Sequence, residues 1–107
     1  MSKRVQSERC VRIADEASVR TIAKIHAQIL AEYQKSDVVR IDVTAITDAD
    51  LTFVQLVEAA RRSATADGKR IALTAPAGGV LLDTLQRGGF LSEPNSAAFW
   101  AGATESN

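Results

Sequence analysis

The chain has 107 residues, 46% of them apolar and 5% aromatic, which fits one domain with an aliphatic core and leaves no room for a second. Thirteen Lys and Arg balance thirteen Asp and Glu, so no net field draws it to nucleic acid or to an anionic membrane. Cys10 is the only cysteine, which excludes an internal disulfide, and Cys10 with His26 is too small a donor set for zinc.

The opening stretch MSKRVQSERC lacks the apolar core of a signal peptide, and no run approaches a membrane span. A soluble, cytoplasmic protein with no direct membrane insertion is expected. Residues 1–8 are polar and read as loose or as a short edge strand. Cys10–Ala14 alternates around Val11 and Ile13 and predicts the first strand, with Cys10 as a core residue. Asp15-Glu16-Ala17-Ser18 offers capping residues for a helix running to about Gln34, with Val19, Ile22, Ile29, Leu30 and Tyr33 as its apolar stripe. His26 lies near that stripe and reads as a partly buried structural histidine.

Val38–Val43 is β-branched and mostly apolar, the signature of an inner strand. Thr44–Asp48 reads as a connection holding a buried Ile46. A second helix from about Leu51 places Phe53, Leu56, Val57, Ala60 and Ala64 inward, with Gln55, Glu58, Arg61 and Arg62 outward. Asp67-Gly68 marks a turn, and Arg70–Thr74 predicts a third strand. A short helix through Val80, Leu81, Leu82 and Leu85 ends at Gly88-Gly89, where a left-handed cap would fold Phe90 back as its apolar contact. Residues 95–107 read as flexible or accessory. Phe99-Trp100 is expected to cover the free sheet face, or else to form an exposed anchor for a partner or a second copy.

The order strand, helix, strand, helix, strand, helix asks for right-handed crossovers and parallel pairing. It predicts an α/β fold with a three- or four-stranded mixed sheet and helices packed mainly on one face. Acid, base, metal and phosphate-loop constellations are absent, so the chain is expected to be no enzyme and to need no cofactor. Gly78-Gly79 and Gly68-Lys69 lack the flanking pattern of a phosphate loop, and Arg61-Arg62 reads as a solvated helix face.

The stretch from Val39 to Val54, VRIDVTAITDADLTFV, resembles the centre of the STAS family of anti-sigma-factor antagonists and their relatives. Asp42 matches the family's strand-end aspartate, and Asp50 the aspartate before the helix. Thr52 then falls where the family places its phosphorylated serine or threonine. The resemblance runs from about Cys10 to Leu91 and makes residues 10–91 the core of a single STAS-like domain. Leu51 replaces a family serine and Phe53 a frequent glycine, so Asp50–Gln55 is closer to the form seen in members found with chemotaxis components. The first strand looks shortened against a full STAS domain.

The resemblance implies a signalling domain that binds an anti-sigma factor, a serine kinase-like protein or another regulatory protein, in transcription control or chemotaxis. Asp48, Asp50, Leu51, Thr52, Phe53 and Gln55 would form the partner surface, with Thr52 the phosphorylation site. The alternative it implies is a constitutive scaffold or subunit of a chemosensory or lipid-transport assembly. The oligomeric state is left open, a dimer included. From the residues alone, Thr52 or Asp50 near a helix start is a cap, with Asp50 the cap itself. A phosphate on Thr52 would sit against the unpaired N–H groups of the first helical turn and make the patch strongly acidic. Docking that buries a neutral Thr52 would then have to desolvate that charge.

Overall fold

Alternating β-branched and aliphatic residues build a sheet of three strands in the computed structural model, which describes residues 8–102. The strands are β1 (Glu8–Ala17), β2 (Val38–Ala49) and β3 (Arg70–Leu73), in spatial order β1-β2-β3. The helices are α1 (Ile22–Tyr33), α2 (Leu51–Ala66), α3 (Gly79–Arg87) and α4 (Pro94–Trp100), with a single 3₁₀ turn at Phe90–Ser92 before α4. Both described ladders are parallel, so the sheet they form is not mixed. Each strand is joined to the next by a helical crossover, which imposes that direction.

Two strands run further than expected. β1 continues through Ala17 because Asp15 takes a positive φ of 65°, which Asp tolerates better than most residues. The ladder with β2 shifts register twice, so that Ala14 pairs with Ala45 after the first shift and Ala17 with Ala49 after the second. Thr44–Asp48 is therefore strand rather than connection, Ile46 is half-buried, and Asp42 lies in mid-strand rather than at its end. β1 has ten residues, against the five of Cys10–Ala14 read from the pattern. The rest of the N-terminal stretch lies outside the described residues.

The core is one cluster. Val11 and Ile13 of β1, Val39, Ile41 and Val43 of β2, and Ile71 and Leu73 of β3 alternate inward to meet Ile25, Ile29, Phe53, Val54, Val57, Leu81 and Leu85. Each Val, Ile or Leu so buried stabilises the fold by about 1.5–3 kcal/mol relative to an exposed position. The same alternation turns Cys10 outward, so it is exposed and not a core residue. In α1 the buried stripe is Ile25 and Ile29, while Leu30 is exposed, Tyr33 half-buried and His26 exposed on the flank. Val19 precedes the helix altogether and is 62% exposed. The helix starts late because Ser18 and Thr21 fold into a turn of their own.

The end of the chain departs furthest from expectation. Residues 94–100 form α4, and Trp100 is 1% exposed; the remaining accessory residues, 103–107, lie outside the described residues. Phe99 and Trp100 join the main cluster, packed edge to face at 5.0 Å. They are no exposed anchor, and they do not close the opposite sheet face, where Cys10, Arg12 and Thr44 are exposed and Asp42 half-exposed.

Trp100 Nε1–H donates to Glu58 Oε2 at 2.7 Å, and Arg61 Nη2 donates to Glu58 Oε1 at 2.6 Å. Glu58 is thus buried, at 3% exposure, not outward. A charge on the inner face of α2 is tolerable when both carboxylate oxygens are satisfied. Arg61 also donates to Ser96 Oγ at 3.3 Å and lies over the Phe99 ring, so it is half-buried and not part of a solvated face. Burial opposes ionisation of Glu58, but the hydrogen bonds from Arg61, Trp100 and Ser96 outweigh it and hold the carboxyl below its usual range.

Candidate functional site

Because β1 and β2 are parallel and end together at Ala17 and Ala49, the turn after β1 and the start of α2 lie side by side. This is the carboxyl end of the strands, where open α/β sheets place their binding regions. Asp50 N–H donates to Ala17 O at 3.2 Å and carries the pairing one residue beyond the ladder.

Asp50 caps α2 in extended backbone geometry. Its Oδ1 accepts from Thr52 N at 3.0 Å and from Phe53 N at 3.3 Å. Its Oδ2 accepts from Val19 N at 3.0 Å, across 31 residues of sequence. The turn it touches is otherwise self-contained. Ser18 N donates to Thr21 Oγ1 at 3.1 Å, Arg20 N to Ser18 Oγ at 3.2 Å, and Thr21 N to Ser18 O at 2.9 Å. Among these four amides, that of Val19 alone depends on a residue from another part of the chain.

Helical spacing sorts the expected site residues into two groups. Leu51, Thr52 and Gln55, at i, i+1 and i+4, face outward: Leu51 is 43% exposed, Gln55 exposed and Thr52 half-buried. Asp48 is exposed at the end of β2 and Asp50 half-exposed. Phe53 is 0% exposed, so its ring belongs to the core and supports this surface from beneath. The Thr52 hydroxyl forms no hydrogen bond among the described residues.

The surface has neighbours that sequence reasoning did not supply. Val19 stands exposed on the turn that Asp50 holds, and Val80 is 39% exposed at the start of α3. Thr84 Oγ1 donates to Ala49 O at 3.4 Å, bringing α3 against the end of β2. A Cβ on Gly88 would meet Leu51 Cδ2 at 2.7 Å, so the bare glycine seats Leu51 against the end of α3. The following Gly89 takes the left-handed conformation at φ 77°, as the helix-stop pattern requires. An apolar Val19 just before a helix was the available signal, but it read as the first residue of an amphipathic stripe.

Two of the first-turn amides are already taken, where unpaired groups were expected to receive a phosphate. The Thr52 and Phe53 N–H groups already point at Asp50 Oδ1, so a phosphate would have to compete with a carboxylate for them. Asp50 accepts amide bonds on both oxygens, and among the described residues no hydrogen bond joins it to the Thr52 hydroxyl.

Elsewhere, a groove of about 650 Å³ carries Arg40, Arg61, Lys69 and Arg70. Among the described residues, Arg40 is engaged with Glu8, Arg61 with Glu58, and Lys69 with Tyr33 O. Among the described residues no group of three or more His, Cys, Asp and Glu is arranged to hold a metal ion. No helix of the described residues is long and apolar enough to cross a membrane.

Comparison with curated proteins finds no match, and comparison with solved structures finds none. The family model described as "Mlab, STAS domain" matches residues 2–91, which covers both strand ends, the Asp50 cap and Thr52. Domains of this kind are in general regulatory and act through protein–protein contacts rather than catalysis. With its parallel three-stranded α/β sheet and its match over most of the length, this chain belongs to the STAS domain family.

Proposed function

We propose that this domain is a non-enzymatic signalling module of the cytoplasm that binds a regulatory protein, in the manner of an anti-sigma-factor antagonist, through the surface around the start of α2. Asp48, Asp50, Leu51, Thr52 and Gln55 make the contact, and Phe53 fixes the helix start from the core. The observation that carries this reading is Thr52 itself: half-buried, its hydroxyl unbonded among the described residues, and flanked by the exposed Leu51.

A serine/threonine kinase switches the surface. The γ-phosphoryl group of a nucleoside triphosphate passes to Thr52 Oγ1, the bond to the diphosphate breaks, and the hydroxyl proton goes to the kinase's base. The product adds roughly −1.5 to −2 charges beside Asp48 and Asp50 and must be desolvated on docking. The test is mass mapping after treatment with a cognate kinase, alongside the affinity of Thr52→Glu for the partner. Modification confined to Thr52 and weakened binding by a normally folded Thr52→Glu support the proposal. Equal modification of Thr52→Ala refutes the site, and unchanged affinity of Thr52→Glu refutes the switch.

A second reading rests on the 43% exposure of Leu51, where other family members have a serine. An apolar anchor of this kind suits a constitutive subunit of a chemosensory or lipid-transport assembly in which Thr52 is never modified. Leu51→Ala then weakens assembly more than Thr52→Glu does, and Thr52 purified from cells is unmodified.

A further inference from the structure

We propose that the Asp50 carboxylate is a latch between the start of α2 and the turn after β1, and that phosphorylation of Thr52 opens it. The inference rests on Thr52 being the modified residue and concerns what that modification does to the protein.

The geometry comes from one planar group serving two segments. Oδ1 holds the Thr52 and Phe53 amides, and Oδ2 holds the Val19 amide. The carboxylate is rigid, so it cannot leave the first pair without also swinging off Val19. A phosphate on Thr52 Oγ1 stands within reach of the same two amides and brings up to two negative charges against that of Asp50. Two anions cannot share those donors, and the phosphate offers three acceptor oxygens of its own. When Asp50 yields, α2 stays capped by the phosphate and keeps its fold. Val19 loses its one acceptor, while Ser18, Arg20 and Thr21 keep the bonds within their own turn.

The consequence is a change of shape as well as of charge. In the unmodified protein the latch fixes the exposed Val19 relative to the exposed Leu51, on either side of the cap. Opening it frees Val19, so an apolar part of the docking surface is displaced even where salt screens the phosphate.

The experiment uses the full chain with phosphothreonine placed at position 52 during synthesis, which needs neither a kinase nor a partner. Amide hydrogen exchange is read by nuclear magnetic resonance in the unmodified and modified proteins. Val19 is expected to exchange about tenfold faster or more in the modified protein, with Phe53 and Val54 still protected. Asp50→Asn provides the second arm: its amide oxygen still caps α2, but its NH₂ cannot accept from Val19, so Val19 alone should gain exchange rate. Unchanged protection of Val19 in the phosphothreonine protein overturns the latch, whatever Thr52→Glu does to partner affinity. Loss of protection along the whole of α2 overturns it too, since the helix would then have lost its cap.

Discussion

Trp100→Phe tests whether α4 belongs to the folded unit. The substitution keeps an aromatic ring in the core but removes the Nε1–H that reaches Glu58 Oε2 at 2.7 Å. Both residues are buried, at 1% and 3% exposure, so water cannot replace the lost donor. Losing a hydrogen bond to a charged acceptor costs about 1.5–3 kcal/mol. The smaller ring leaves a void that adds about 1 kcal/mol. The expected destabilisation is about 2.5–4 kcal/mol, or a fall in Tm of about 10–25 °C for a chain of this size. Urea unfolding gives the free energy directly, provided the m-value is unchanged. Repeating the substitution in a Glu58→Leu background, where the indole has no acceptor to lose, should cost about 1.5–3 kcal/mol less. A cost under about 1 kcal/mol, or an equal cost in both backgrounds, would refute the buried network and return the C-terminal segment to an accessory role.

Further outcomes follow from the same geometry. Because the folded-state carboxyl of Glu58 lies below its ordinary value of 4.5, its contribution is fully present above that value and lost as pH falls through the lower folded one; Glu58→Gln should flatten this acid limb in urea titrations carried below that ordinary value. Gly88→Ala should push the Leu51 side chain and the Phe90 ring aside at a cost of about 1 kcal/mol, visible as shifted Leu51 methyl and Phe90 ring resonances. Cys10, exposed on β1, should react with a maleimide at the same rate in folded protein as in urea, and protection in the native state would contradict its outward position. Asp50→Ala should lose the α2 cap and the Val19 bond together, costing about 1–2 kcal/mol in thermal unfolding.

Much of the fold was legible in hydrophobic periodicity. Val38–Val43, the α2 face through Phe53 and Val57, and the glycine stop after α3 all follow from rules of spacing and conformation. What escaped was long-range. Nothing local says that Asp15 bends into a positive φ and lets β1 continue, or that Thr44–Ala49 finds a pairing strand. Glu58 reads outward by polarity because its partners lie far along the chain: Trp100 is 42 residues away. At the site, Asp50 was readable as a cap, since Asp two residues before Thr52 at a helix start is a local signature. Its bond to Val19, across 31 residues, was not. Phe53 carried two expectations, inward by helical spacing and at the partner surface by the family motif, and its burial in the core follows the spacing.

The most direct measurement of the central claim is the affinity of the partner for the unmodified domain and for Thr52→Glu. The partner is captured first by a photocrosslinker placed at the exposed Gln55. A surface centred on Thr52 predicts a specific adduct at position 55 and at least a tenfold loss of affinity, about 1.4 kcal/mol, for a Thr52→Glu protein whose circular dichroism is unchanged. An adduct that forms equally well with the substituted protein, together with equal affinity, would contradict it.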